Sequence, residues 1–144
     1  MKTRVPILRS TLILIWTCEP SIEDPLDLHV QNWTHTPENC EENIDAPIQI
    51  VKYNSTTYSL RQNKCIAYEA PFMFLFFSAH KALLFTTGAA EEEAIFPLYK
   101  TVKKISNDWS KEKGEISLIV AHSHKHGDHY VGDEQFISLS VRFI

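Results

Sequence analysis

Glycine is scarce in this chain, four residues in 144, and cysteine is scarcer, with three. So little glycine excludes a collagen repeat or a glycine-rich linker. Cys18, Cys40 and Cys65 form no Cys-x-x-Cys spacing, which removes a cysteine-based zinc site and a redox dithiol. No apolar run approaches the roughly 18 residues that a membrane-spanning helix needs. Lys and Arg are not clustered, and 14 of them against 18 Asp and Glu leave a net charge of −4. Phosphate binding needs concentrated positive charge, so nucleic acid is not the expected partner. Internal repeats are also lacking. What remains is an ordinary globular composition, 44% hydrophobic and 22% charged. A chain of this length buries one core, roughly 70% of its unfolded surface, and is short for two domains.

The N-terminus carries a compartment signal with an alternative beside it. Lys2, Arg4 and Arg9 precede an apolar run at 12–16, the order of a secretory signal peptide over 1–18. No small-x-small cleavage site follows, since Trp16 and Cys18 are poor there, so a ragged N-terminus or a buried segment competes with it. Asn32-Trp33-Thr34 and Asn54-Ser55-Thr56 fit the N-glycosylation pattern, which matters only in a secreted chain. Removal of Cys18 with a signal leaves Cys40 and Cys65 as an even pair able to bridge; inert buried thiols are the slightly favoured alternative. Secretion is the expected localisation and the cytoplasm the alternative.

Residues 19–47 are polar, with Pro20, Pro25, Pro37 and Pro47 and an acidic stretch over 38–45, and read as an irregular leader. The domain is expected over 48–144. Strands are predicted over 48–53 and 56–60, separated by an Asn54-Ser55 turn, with a second turn at Gln62-Asn63-Lys64 and a short strand over 65–68. The run FMFLFF over 72–77 is short enough for a buried strand, and 82–85 follows as another. Their low polarity suggests cover on both faces. Glu91, Glu92 and Glu93 suit a helix N-terminus and Pro97 a first turn. Leu98, Val102, Ile105 and Trp109 then recur at helical spacing, with Lys100, Lys103 and Lys104 outward and Lys113-Gly114 as the stop. ISLIVA over 116–121 is a further buried strand. Several strands, one helix and another strand make an α+β pattern, a mixed sheet with a flanking helix.

The histidines follow that last strand. Four of the seven, His122, His124, His126 and His129, lie within eight positions, while His29, His35 and His80 are scattered and read as bland. His124 and His126 are two apart, so in extended backbone they point to one side and can share a metal ion. Gly127 is expected to permit a tight turn. Asp128 and His129 then supply a hard oxygen and an imidazole for a second zinc-like ion, and Asp128 can also take a proton as the catalytic carboxylate. A solvated polar loop or a loose histidine tract is the alternative. His122 lies outside the spacing and reads as structural, and Tyr130 as core, with a pocket wall as its alternative.

The run His124-Lys125-His126-Gly127-Asp128-His129 resembles the His-x-His-x-Asp-His signature of the metallo-β-lactamase fold superfamily. Residues 81–89 (KALLFTTGA) look like the strand ending in Asp-Thr-Gly in those proteins, 116–121 like the strand that delivers the signature, and 132–136 like the start of the next helix. The resemblance implies an αββα sandwich with one or two zinc ions. His124 and His126 would ligate the first, and Asp128 and His129 the second. The implied activity is hydrolysis of an ester, lactone, thioester, amide or similar bond in a small-molecule substrate.

Two departures qualify the resemblance. Thr86 stands where the family has Asp, which puts the rigidity of the site in doubt. The family also draws a further His, a bridging Asp and a last His from its second half, and no His follows His129. The expectation is therefore about the first half of the domain, with 137–144 as an apolar strand. The alternative function is a truncated, catalytically incompetent relative that keeps part of the metal site. Its uncovered apolar strands would favour self-association.

Overall fold

The Asn54-Ser55 corner is a tight hairpin because the Asn54 side chain carries it. Its Oδ1 accepts from the Thr56 backbone N–H at 2.9 Å and from the Thr56 hydroxyl at 3.2 Å. That short-range bonding is why Asn favours turns. In the computed structural model, which describes residues 25–35, 39–111, 114–139 and 141–144, this corner joins β1 (Ile48–Asn54) to β2 (Thr57–Gln62). The expected signal segment 1–18 lies outside the described residues, as does Lys113. Residues 25–35 and 39–47 hold no strand, only a short 3-10 turn at Cys40–Glu42.

Next come β3 (Phe72–Phe77), β4 (Lys81–Phe85), helix α1 (Leu98–Ser110) and β5 (Ser117–Ala121). A one-turn helix, α2 (Gly127–Tyr130), a 3-10 turn over Val131–Gln135 and a two-residue strand, β6 (Arg142–Phe143), complete the chain. The six strands make one mixed sheet in sequence order. β1 to β4 are antiparallel, and β5 joins β4 in parallel through the α1 crossover, as a parallel pair requires. The architecture is α+β, a mixed sheet with a flanking helix. Among the described residues no helix is long and apolar enough to cross a membrane.

The core lies between α1 and one face of the sheet. Leu60, Met73, Leu75, Leu84 and Val120 point inward from the strands, and Leu98, Val102 and Ile105 from the helix. Burying one such side chain contributes about 2 kcal/mol. Phe77 stacks on Trp109 at 4.7 Å between centroids, which fixes the C-terminal half of α1 over the hairpin. Its N-terminus has a remote cap: the Gln135 side chain accepts from Tyr99 N–H at 3.1 Å and donates to Phe96 C=O at 2.8 Å. Pro97 occupies the cap position, and no acidic residue falls in the first turn, so the glutamates at 91–93 lie ahead of the helix.

Several expectations are corrected. Residues 65–68 form turns and not a strand, because Asn63 Oδ1 accepts from Cys65 N–H at 2.8 Å and Asn63 C=O takes the amides of Ile66 and Ala67. Cys40 and Cys65 are joined as a disulfide rather than left as inert thiols. The β3 face opposite α1 is only partly covered: Phe72 and Phe76 remain 37% and 39% exposed. Phe72, Phe74 and Phe76 stack along that face, with Trp33 edge-on to Phe72. Among the described residues of the strand expected over 137–144, only Arg142–Phe143 is strand.

Candidate metal centre

β4 and β5 run parallel and end side by side, with Phe85 paired to Ala121. The carboxyl ends of parallel strands leave a crevice where ligand groups collect. From β4 emerge Thr86, Thr87 and Gly88; from β5 emerges the histidine run. Thr86 sits in the left-handed region, φ 64°, and is 2% exposed. Its N–H donates to Ala121 C=O at 2.8 Å and its hydroxyl to Phe72 C=O at 3.1 Å, so three strand ends are tied at one buried residue. These bonds hold a conformation that a β-branched residue otherwise avoids.

Thr87 fastens the donor loop. It is fully buried, its N–H donates to His129 C=O at 2.8 Å, and its hydroxyl reaches Asp133 Oδ1 at 2.8 Å. The following turn can pass this close only because residue 132 is glycine. A Cβ there would lie 2.1 Å from the Thr87 carbonyl oxygen. Gly127, by contrast, has no positive φ, and an added Cβ would meet only Val131 at 3.6 Å. The expected turn role belongs to other glycines.

The four sequence candidates come together as two pairs. His124 Nε2 lies 3.1 Å from His126 Nδ1, and His129 Nε2 lies 3.4 Å from Asp128 Oδ2. The His124 ring is common to both neighbourhoods, 4.5 Å from the His126 centroid and 4.3 Å from that of His129. Among the described residues no three or more His, Cys, Asp or Glu side chains form a group placed to hold one metal ion.

The pairs nevertheless have the chemistry of a zinc donor set. Tetrahedral zinc with ligand bonds near 2.0–2.1 Å separates adjacent donors by about 3.3 Å. The Ser123 hydroxyl lies 2.8 Å from His124 Nδ1. With Nδ1 donating to that oxygen, the His124 Nε2 lone pair accepts the hydrogen bond from His126 Nδ1 at 3.1 Å. His129 Nδ1 is buried and has no hydrogen-bond partner among the described residues. The residue types are those that zinc takes, but as placed the four side chains do not converge on one ion.

The other histidines separate cleanly. His29, His35 and His80 are exposed and distant from the histidine run in sequence. His122 faces Asp133 Oδ2 at 3.1 Å, in keeping with a structural reading. Tyr130 is corrected: it is 37% exposed, not core, and with His122, His124, Lys125 and Asp133 lines a small open cavity beside the pairs. Thr87, Asp133 and Gln135 were given no role from the sequence; they lay in the stretches 81–89 and 132–136 noted only for the resemblance.

No protein-family model matches the sequence, and no curated protein does. Among solved structures the chain is similar to a metallo-β-lactamase from Hirschia baltica, at 18% identity and a TM-score of 0.47. The match covers 67% of this chain and 42% of that one, so it spans less than half the length of that protein.

Proposed function

We propose that this chain carries metal-donor groups of a zinc-dependent hydrolase of the metallo-β-lactamase type. The observation that carries the reading is the pair of imidazole nitrogens of His124 and His126, 3.1 Å apart at the mouth of the β4–β5 crevice. His124 and His126 would hold one cation, and Asp128 with His129 a second. Zinc in such a site supplies an acidified water and polarises the oxygen of a carbonyl or phosphoryl group. The Asp128 side chain is 30% exposed beside His129, placed to accept a proton and orient the attacking water. The substrate class is a small molecule with an ester, lactone, thioester or amide bond. Each pair brings two protein donors, whereas catalytic zinc takes three protein ligands, so full occupancy draws on donors beyond these four.

We also propose that the chain works in an oxidising compartment, supported by the Cys40–Cys65 bridge. The test of the hydrolase reading has two arms. The folded chain is dialysed against micromolar zinc and its metal content measured, then assayed on chromogenic ester, lactone and lactam substrates. One or two retained equivalents with turnover support the reading. A folded sample that retains no zinc overturns it.

A further inference from the structure

We infer that Asn32 is an N-glycosylation site, taking a glycan on its side-chain nitrogen, and that Asn54 is not one. The inference rests on the oxidising-compartment reading above and is independent of any metal. Both residues open an Asn-x-Thr tripeptide, Asn32-Trp33-Thr34 and Asn54-Ser55-Thr56. The structure separates them. Asn32 is exposed in a stretch, 31–35, without helix or strand, and among the described residues its carboxamide makes no hydrogen bond. Its backbone is held instead. The Gln49 side chain donates to Asn32 C=O at 2.9 Å and accepts from Thr34 N–H at 2.9 Å and from the Thr34 hydroxyl at 2.8 Å. Arg61 donates to Thr34 C=O at 3.1 Å. The folded chain thus fastens the tripeptide to β1 and β2 and leaves the Asn32 side chain to water, where a bulky hydrophilic glycan belongs.

The bonds at the two sites also differ in reach. Asn54 is half-buried, and its Oδ1 accepts from the N–H and the hydroxyl of Thr56, two residues on. Those bonds need nothing beyond the tripeptide, so they form as soon as it exists. They occupy the threonine hydroxyl that belongs to the acceptor pattern, and hairpin closure follows within about 1–10 μs once β2 is present. The Thr34 bonds come from Gln49 and Arg61, 15 and 27 positions away. At a synthesis rate of about 5–20 residues per second, Gln49 follows Thr34 by about 1–3 s. Throughout that interval the Thr34 hydroxyl and the Asn32 amide are free of these partners. The donor is an oligosaccharide carried on a polyprenyl diphosphate. Transfer breaks its C1–O bond, forms a bond from C1 to Asn32 Nδ2, releases one Nδ2 proton and frees the polyprenyl diphosphate.

The experiment expresses the full chain in a eukaryotic secretory host in two forms, as it stands and behind an added secretory leader. The product is treated with peptide N-glycosidase, which leaves Asp where a glycan stood, and is mapped by mass spectrometry. The form with the leader should carry one glycan, on Asn32. Asn32→Gln and Thr34→Ala should each abolish it. Thr34→Ser, which keeps the hydroxyl, and Thr56→Ala, which removes only the second tripeptide, should retain it. Asn32→Gln breaks no hydrogen bond of that side chain among the described residues, so its loss of glycan reads acceptor chemistry and not folding. Secreted, folded protein with Asn32 unmodified overturns the inference. A glycan on Asn54, alone or beside one on Asn32, overturns the choice between the two. A glycan gained only behind the added leader upholds the acceptor and overturns the oxidising-compartment reading instead, so the two failures are distinct.

Discussion

His124 Nε2 and His126 Nδ1 face one another across 3.1 Å, different ring nitrogens of residues two apart. Residues 123–125 form a bend and not the extended backbone expected from the spacing, and it is this bend that brings the two rings together. Ser123 at 2.8 Å from His124 Nδ1 leaves Nε2 to accept from His126 Nδ1. His126→Ala should therefore reduce zinc affinity by about two orders of magnitude, as expected when one of two imidazole ligands is lost. His35→Ala, at an exposed position, should leave it unchanged. Chelator competition on the two variants checks this, and equal losses would contradict the assignment.

Gly132 is required by contact rather than by dihedral angle. A Cβ at this position would meet the Thr87 carbonyl oxygen at 2.1 Å and its carbonyl carbon at 3.0 Å. Backbone on both sides leaves nothing flexible to move aside. Gly132→Ala should cost about 2–3 kcal/mol, in the range of overpacking substitutions. Urea unfolding gives the value, and a loss below about 0.5 kcal/mol, the scale of neutral surface changes, would mean the turn does not press on Thr87.

The parts of this molecule readable from sequence are those governed by short periods. FMFLFF became β3 at Phe72–Phe77, and the stripe Leu98, Val102, Ile105 became the buried side of α1 at Leu98–Ser110. Both patterns follow from side chains alternating across a strand and recurring around a helix. Residues 65–68 broke the rule because Asn63 offers its own side chain to the backbone and pulls the segment into turns. Cover on both faces of β3 was inferred from apolarity alone, yet Phe72 and Phe76 stay more than a third exposed. In the candidate site the grouping of His124, His126, Asp128 and His129 was legible from spacing, and the bonds that hold the loop were not. Thr87 meets Asp133 across 46 positions and Tyr99 meets Gln135 across 36, and no local pattern encodes such distances. Glycine was legible as a punctuator, but Gly127 drew attention that belonged to Gly132.

The Cys40–Cys65 bridge spans 25 positions and ties the segment before β1 to the loop after β2. Closing a loop of that size stabilises by about 3 kcal/mol in the chain-entropy account. Under reducing conditions the unfolding midpoint should fall by several degrees, and the Cys40→Ser/Cys65→Ser variant should reproduce the fall without added reductant. Thermal unfolding with and without dithiothreitol tests it. An unchanged midpoint would mean the bridge does not form in the folded protein. The bridged loop after β2 lies at the same end of the sheet as the histidine run, since Gln62 Oε1 accepts Ala89 N–H at 2.9 Å and the Thr86 hydroxyl reaches Phe72 C=O at 3.1 Å.

Gln135 connects the loop's far end to the helix. Its amide oxygen accepts Tyr99 N–H at 3.1 Å, and its nitrogen donates to Phe96 C=O at 2.8 Å and Ala90 C=O at 3.4 Å. The first turn of a helix leaves amide donors without partners, and Pro97 at the cap position has no side-chain oxygen to offer. A residue 36 positions away takes that role. Gln135→Ala strips the cap and removes one of the two donors to Phe96 C=O, which keeps the Leu98 N–H at 2.8 Å. The cost should be about 1 kcal/mol, that of a lost cap. Gln135→Glu keeps the acceptor for Tyr99 and loses the donor to Phe96, so it should fall between alanine and wild type. Urea unfolding of the three proteins gives the order. If alanine and glutamate were equally damaging, the helix N-terminus would not be what Gln135 supports, and its role would reduce to the bonds at Phe96 and Ala90.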